Sequence, residues 1–320
     1  MGKKNSRIKY DVLARITTES SSFLSLNDAA RVLVANALVA PSQGQIRLYV
    51  YNDDADPVRP FAPIQQLNLL EWLGLKTECV HEMTENYPHT LSRRKDTYQE
   101  YFFCLYDALF ARCCFCSVHL DDALCNSDQL GESHCEAFTP ENLVQHLEDG
   151  GTFVARFNTD RLRRRVGSQL RDQSVRDFVL ITADGMASPY FAHVVDAIDF
   201  GVTLDVRASA TKADAAYEEY IYAAFGANRP AEVFVPNIID VNARTMFEDA
   251  SIDALQAQGF VPQAIIHYLA QLLWPDLRIK PSHSVKGLLA QVKGRQPTSD
   301  AIYFDEAHLY EVQQYYVTSL

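Results

Sequence analysis

The chain has 320 residues, 48% hydrophobic and 22% charged, enough to bury a sizeable core. Its 41 acidic against 29 basic residues give a formal net charge of −12, which excludes a polyanion binder held by overall charge. No run of roughly eighteen apolar residues occurs and no signal peptide precedes the first apolar stretch, so no transmembrane segment and a cytoplasmic location are expected.

The opening MGKKNS fits the short N-myristoylation pattern through Gly2 and Ser6, although a disordered basic start is the simpler reading. Helical periodicity then covers Leu26 to Val39, Ile64 to Leu73 and Lys95 to Phe110. It returns over Ala213 to Phe225 and Pro262 to Trp274. The apolar runs Ile46 to Tyr51 and Phe178 to Ala183, rich in branched and aromatic residues, read as buried strands. Strand–helix alternation predicts a mostly parallel, Rossmann-like α/β sheet with right-handed crossovers. The stretch 112–176 interrupts that alternation. Pro281 to Asp300 is polar and reads as a turn-rich connection.

Five of the seven cysteines lie between Cys113 and Cys135. Outside a secreted disulfide scaffold, such clustering favours metal binding or plain burial. Cys79, Cys104 and Cys113 read as packing residues. Against the acidic background, seven arginines fall between Arg156 and Arg176.

Several segments keep a common order: RLYVYNDDADPVR (Arg47 to Arg59), LLEWLGL (Leu69 to Leu75), HTLSRRKDTYQEY (His89 to Tyr101), and CFCS (Cys114 to Ser117). DFVLITADG (Asp177 to Gly185), FAHVVDAIDFGVTLDVRASA (Phe191 to Ala210) and GFVPQAIIHYLAQLLW (Gly259 to Trp274) follow. Together they resemble the glutamyl-tRNA synthetase catalytic domain, with the extent of the truncated glutamyl-queuosine tRNA synthetases. The resemblance implies a class I aminoacyl-tRNA synthetase catalytic domain, with an inserted subdomain and a C-terminal helical stem-contact part. It divides the chain into a Rossmann-like first half (1–111), an inserted acceptor-end or zinc-type subdomain (112–176), a Rossmann-like second half (177–245) and a helical region (246–320). No anticodon-binding domain is expected.

The same resemblance shows what has changed. The His-Ile-Gly-His turn that handles ATP phosphates in the family stands here as Ser25-Leu26-Asn27-Asp28. The imidazole is lost, and Asp28 brings negative charge to a phosphate site; a helix N-cap explains Ser25 or Asn27 equally well. Asn242 to Ile252 replaces the family's Lys-rich loop with no lysine, leaving Arg244 as its cation. The Gly-Glu-Glu after the family's arginine is Ala208-Ser209-Ala210. ATP use is therefore not expected, and the chain reads as a pseudoenzyme.

For the glutamate pocket, Arg15 and Arg207 align with the family's carboxylate-binding arginines, Asp53 with its acid, and Tyr190 stands beside the position of its tyrosine. The competing reading pairs Arg15 and Arg207 with Asp53 or Asp205 to hold strand ends. Cys114, Cys116 and Cys135 match zinc ligands of the family, with Cys125 or His134 as the fourth; three thiolates plus one such ligand suit tetrahedral zinc. Arg161, Arg163, Arg164 and Arg165 form the candidate patch for a tRNA acceptor end or a protein partner.

Three functions follow. The first is a synthetase paralogue without adenylation, acting as a binding or regulatory module, with free glutamate as a further candidate ligand. The second is an active, divergent glutamyl-queuosine-type ligase using ATP and glutamate. The third is a structural subunit of a larger assembly, with the aromatic tail (Tyr303, Tyr310, Tyr315, Tyr316) as its interface.

Overall fold

The computed structural model describes residues 12–19, 24–42, 44–51, 62–79, 94–114, 149, 152–167, 170–239 and 251–319. In chain order the elements begin β1 (Leu13–Glu19), α1 (Leu26–Val39), β2 (Gln45–Tyr51), α2 (Ala62–Trp72) and β3 (Glu78–Cys79). There follow α3 (Lys95–Asp107), β4 (Ala111–Cys114), β5 (Val154–Phe157), α4 (Thr159–Val166), β6 (Val179–Ile181) and α5 (Pro189–Asp199). Then come β7 (Leu204–Ala208), α6 (Asp214–Phe225), β8 (Ala231–Val235), β9 (Ile238–Ile239) and α7 (Ile252–Ala257). The last are α8 (Pro262–Leu273), α9 (Val285–Val292), β10 (Ile302–Tyr303) and α10 (Glu306–Ser319).

The chain divides into two compact units. The first comprises 1–89, 202–211 and 230–320; the second comprises 90–201 and 212–229, and contains the expected insert at 112–176. Among the described residues no helix is long and apolar enough to cross a membrane.

In the first unit five parallel strands run in the order β3-β2-β1-β7-β8. This is the expected parallel sheet, and its centre pairs β1 with a strand some 190 residues later. Helix α1 is apolar around its circumference: Ala29, Val32, Leu33 and Ala35 are all fully buried. A helix hydrophobic on every side belongs inside. It packs on β1 and β7, and also on α8 and α9. Its Asn36 carries the buried polar tie, donating from Nδ2 to the Lys76 carbonyl (3.1 Å) and accepting from Lys76 N–H (3.0 Å). Gly44 lets β1 and β2 meet, since a Cβ there would sit 2.1 Å from the Val12 carbonyl oxygen.

The connection expected over Pro281 to Asp300 contains helix α9. Ser284 caps it by accepting from Gly287 N–H (3.2 Å), and Leu288 and Val292 are fully buried. The apolar residues Val285, Leu288, Leu289 and Val292 recur at the helical period. Surrounding polar residues hid that signal.

In the second unit β4, β5 and β6 form an antiparallel sheet. Asp196 on α5, 2% exposed, accepts from Arg94 Nε (2.9 Å) and from the Tyr98 hydroxyl at both oxygens (3.1 and 3.2 Å). Arg94 also reaches Asp199 (2.7 Å) and lies 4.6 Å from the Phe200 ring centroid. Burial pushes the Tyr98 phenol well above its usual range, so it remains a donor near neutrality. The helix expected to run to Phe110 stops at Asp107, because Leu109 adopts a left-handed backbone with φ 63°.

The first unit also holds a buried histidine with one satisfying tautomer. His267 Nε2 donates to the Ile279 carbonyl (3.2 Å), leaving Nδ1 to accept from the Tyr316 hydroxyl of α10 (3.2 Å). Tyr316 in turn accepts from Ser282 N–H (3.1 Å). Burial lowers the His267 pKa, with His308 adding in the same direction and the Ile279 carbonyl opposing. The unfolded chain therefore binds this proton more readily, and the stability it contributes is lost as pH falls below about 6.5. Thermal unfolding followed between pH 7.5 and pH 5 should show a falling midpoint, and His267→Gln should flatten that slope. An unchanged slope in the variant would remove His267 from the account.

Candidate functional site

Helix α1 begins with a closed capping box. Ser25, in extended conformation, accepts the Asp28 N–H at its Oγ (3.0 Å). The Asp28 carboxylate accepts the Ser25 N–H (3.2 Å) and hydroxyl (2.5 Å), and its other oxygen accepts from Arg31 Nη2. A helix N-terminus offers unpaired N–H groups and a positive dipole end to an anion. Here the anion is the helix's own carboxylate, 7% exposed and already neutralised by Arg31. Asn27 faces another strand, its Oδ1 accepting from Ile238 N–H on β9 (2.8 Å). Ser25, Asn27 and Asp28 of the altered turn thus each have a structural role.

Arg15 is fully buried and stands opposite Asp205 in the β1–β7 pairing. Its Nη2 reaches Asp205 Oδ2 at 2.7 Å and its Nε reaches Oδ1 at 3.3 Å. Asp205 is 2% exposed, so the pair is held out of water by two-pronged geometry. Two residues on, Arg207 projects to the same face of β7. Its Nη1 meets Glu232 Oε1 (3.3 Å) and its Nε donates to Thr211 Oγ1 (3.1 Å). Its guanidinium lies 5.8 Å from the Phe234 ring. The strand-end pairing considered for Arg15 is therefore observed through Asp205, while Glu232, the partner of Arg207, was missed.

Tyr190 belongs to the second unit, in the first turn of α5. Its ring stacks on Tyr217 (centroids 5.0 Å, 26°) and meets Phe178 edge-on (5.4 Å, 85°). Asp53, Arg244, Cys116, Cys125, His134 and Cys135 lie outside the described residues. Cys114 ends β4 as a buried thiol, 1% exposed. Beside it Cys113 is half-buried, its thiol pushed up to about 11 by burial and by Cys114. Cys104, expected to pack, is instead exposed on α3. Among the described residues no group of three or more His, Cys, Asp or Glu side chains could hold a metal ion.

The arginine patch separates into two kinds. Arg163 turns inward, with Nη1 on Asp160 (2.6 Å), Nε donating to the Tyr220 hydroxyl (3.1 Å) and Nη2 on the Val175 carbonyl. Arg161, Arg164 and Arg165 are exposed, although Arg165 also lies over the Phe110 ring. Sequence spacing alone treats these four arginines alike; the Tyr220 hydroxyl and the Val175 carbonyl set Arg163 apart.

Residues 11–311 match the family described as tRNA synthetases class I (E and Q), catalytic domain, and the chain belongs to that family. Similar curated proteins include the glutamate–tRNA ligases of Clostridioides difficile (23% identical over 96% of this chain and 67% of the relative) and Carboxydothermus hydrogenoformans (25%, 78% and 56%). The ligase of Clostridium tetani is 29% identical over 69% of this chain and 49% of its own length. The chain thus spans between about half and two thirds of these relatives. The fold matches a glutamate tRNA ligase of Elizabethkingia meningosepticum, crystallised in complex with its amino acid, at a TM-score of 0.75 and 18% identity; the match covers 97% of this chain and 70% of that one.

Removing Asp205 takes from the buried Arg15 the carboxylate that meets it with two-pronged geometry. Asp205→Ala should cost about 3–5 kcal/mol in denaturant unfolding of the whole chain, whereas Arg15→Met with Asp205→Val should retain most of the stability. A cost below about 1 kcal/mol for the single change would show that the pair is not a structural element.

Proposed function

We propose that this chain is a glutamyl-tRNA synthetase paralogue that no longer forms glutamyl-adenylate and works as a binding module. The observation that carries this reading is the Asp28 carboxylate closed onto the start of α1 by Ser25 and Arg31. Adenylation needs a site that accepts a triphosphate and stabilises departing pyrophosphate. A fixed carboxylate at that helix terminus opposes both. The Asn242 to Ile252 segment, without lysine, removes a second source of positive charge. One well-placed donor is worth ~3 kcal/mol of transition-state stabilisation, so losing several corresponds to orders of magnitude in rate.

The amino-acid side supports the same reading. Arg15 and Arg207 are paired with Asp205 and Glu232, so a glutamate carboxylate would have to share each guanidinium with a carboxylate already in place. The ligand classes we propose are a tRNA acceptor end or a protein partner, reached through the exposed Arg161, Arg164 and Arg165.

ATP–pyrophosphate exchange with glutamate, run with and without tRNA, should give no signal above a protein-free control. Robust exchange would overturn the proposal in favour of a divergent glutamyl-queuosine-type ligase.

We also propose zinc on Cys114, Cys116 and Cys135, with Cys125 or His134 completing the tetrahedron. The support is the donor chemistry and the buried position of Cys114 at the end of β4. Protein purified without chelators should contain about one zinc per chain by elemental analysis, lost in Cys114→Ser. A metal-free protein of unchanged stability would overturn it.

A further inference from the structure

Helix α3 ends in a Schellman motif: Phe110 N–H bonds to the Leu105 carbonyl (2.8 Å) and Leu109 N–H to the Tyr106 carbonyl (2.9 Å). Leu105 and Phe110 are both buried, as the motif's apolar contact requires. The residue between them must take a left-handed backbone, which glycine adopts without strain. The same pair of bonds closes α2 at Gly74 (φ 72°) and α7 at Gly259 (φ 85°). At the end of α3 the residue is leucine, the one non-glycine with positive φ among the described residues.

Leu109 is 57% exposed. A branched apolar side chain at this position strains the backbone and gains little packing in return. Such strain gathers at functional positions. In the second unit Leu109 and Phe103 are the large apolar side chains most open to water among the described residues.

Charge surrounds this anchor. The Phe110 ring, next in sequence, lies 5.1 Å from the Arg165 guanidinium, and the Phe110 carbonyl accepts from Asn158 N–H, the cap residue of α4 (2.8 Å). Arg161, Arg164 and Arg165 stand at i, i+3 and i+4 on the exposed face of α4. Arg163 and Asp160 neutralise one another. Asp107, exposed in the last turn of α3, is the acidic group nearest to Leu109 in sequence.

We propose that Leu109, with Arg161, Arg164 and Arg165, forms a docking surface for an acidic amphipathic segment of another protein. The arginines complement carboxylates, and the leucine enters the partner's apolar face. An RNA backbone would use the arginines, but bases stack on aromatic faces and gain little from an aliphatic side chain. A strained leucine therefore favours protein over nucleic acid. The proposal rests on the binding-module reading and names the partner class; pyrophosphate exchange tests that reading separately.

The test uses the full chain and a synthetic amphipathic helix of roughly twenty residues with a leucine face and a glutamate face. Controls replace its glutamates with glutamine or its leucines with serine, and a short RNA duplex is titrated in parallel. Leu109→Gly relieves the backbone, so its thermal midpoint should equal or exceed the parent's, while its affinity for the peptide falls roughly tenfold or more. Leu109→Asn, which tolerates the same backbone with a polar group, should weaken binding likewise. Arg161→Glu with Arg164→Glu and Arg165→Glu should abolish it, and both control peptides should bind more weakly. Peptide affinity unchanged in the Leu109 variants would overturn the proposal. So would failure of the parent to bind the peptide, or a preference for the RNA duplex that Leu109→Gly leaves intact.

Discussion

The first unit depends on the pairing of β1 with β7, and that pairing contains a buried ion pair. Arg15 and Asp205 belong to strands 190 residues apart in sequence, between which the chain builds most of the second unit. Register places them directly opposite one another. Each is costly to bury alone, so each requires the other. A one-residue slip of β7 would carry Asp205 to the opposite face of the sheet and break its two-pronged pairing with Arg15. The pair thus specifies how the two halves of the sheet meet.

The same pattern recurs at the other charged positions described. Asp28 is taken by Ser25 and Arg31, Arg207 by Glu232 and Thr211, and Arg163 by Asp160, Tyr220 and Val175. In each case the charge is met by a group of the chain itself. The fold keeps its parallel sheet and buried α1 because these depend on apolar packing, which such substitutions leave alone. The outer face of α4 carries the exposed Arg161, Arg164 and Arg165.

The helices were legible where one apolar pattern ran without interruption: α1 was expected with the bounds observed, and α8 within one residue. Helix α9 was hidden by the polar residues around Val285, Leu288, Leu289 and Val292. The end of α3 was overrun because leucine gives no sign of a helix stop; only the backbone at Leu109 shows it. At the site, residue types were readable but their partners were not. Arg15 could be foreseen as a paired arginine, since Asp205 was in view, whereas Glu232 comes from the neighbouring strand and needs the β7–β8 register. Arg163 could not be told from Arg161, Arg164 and Arg165 until Tyr220 and Val175 gave it an inside.

The central claim is that the groups which would bind nucleotide and amino acid are already satisfied by the chain itself. A stable sulfamoyl analogue of glutamyl-adenylate, titrated calorimetrically into the full chain, tests this most directly, because it asks for both halves of the site without requiring turnover. The account predicts no saturable heat at submillimolar analogue. Tight, stoichiometric binding would contradict it.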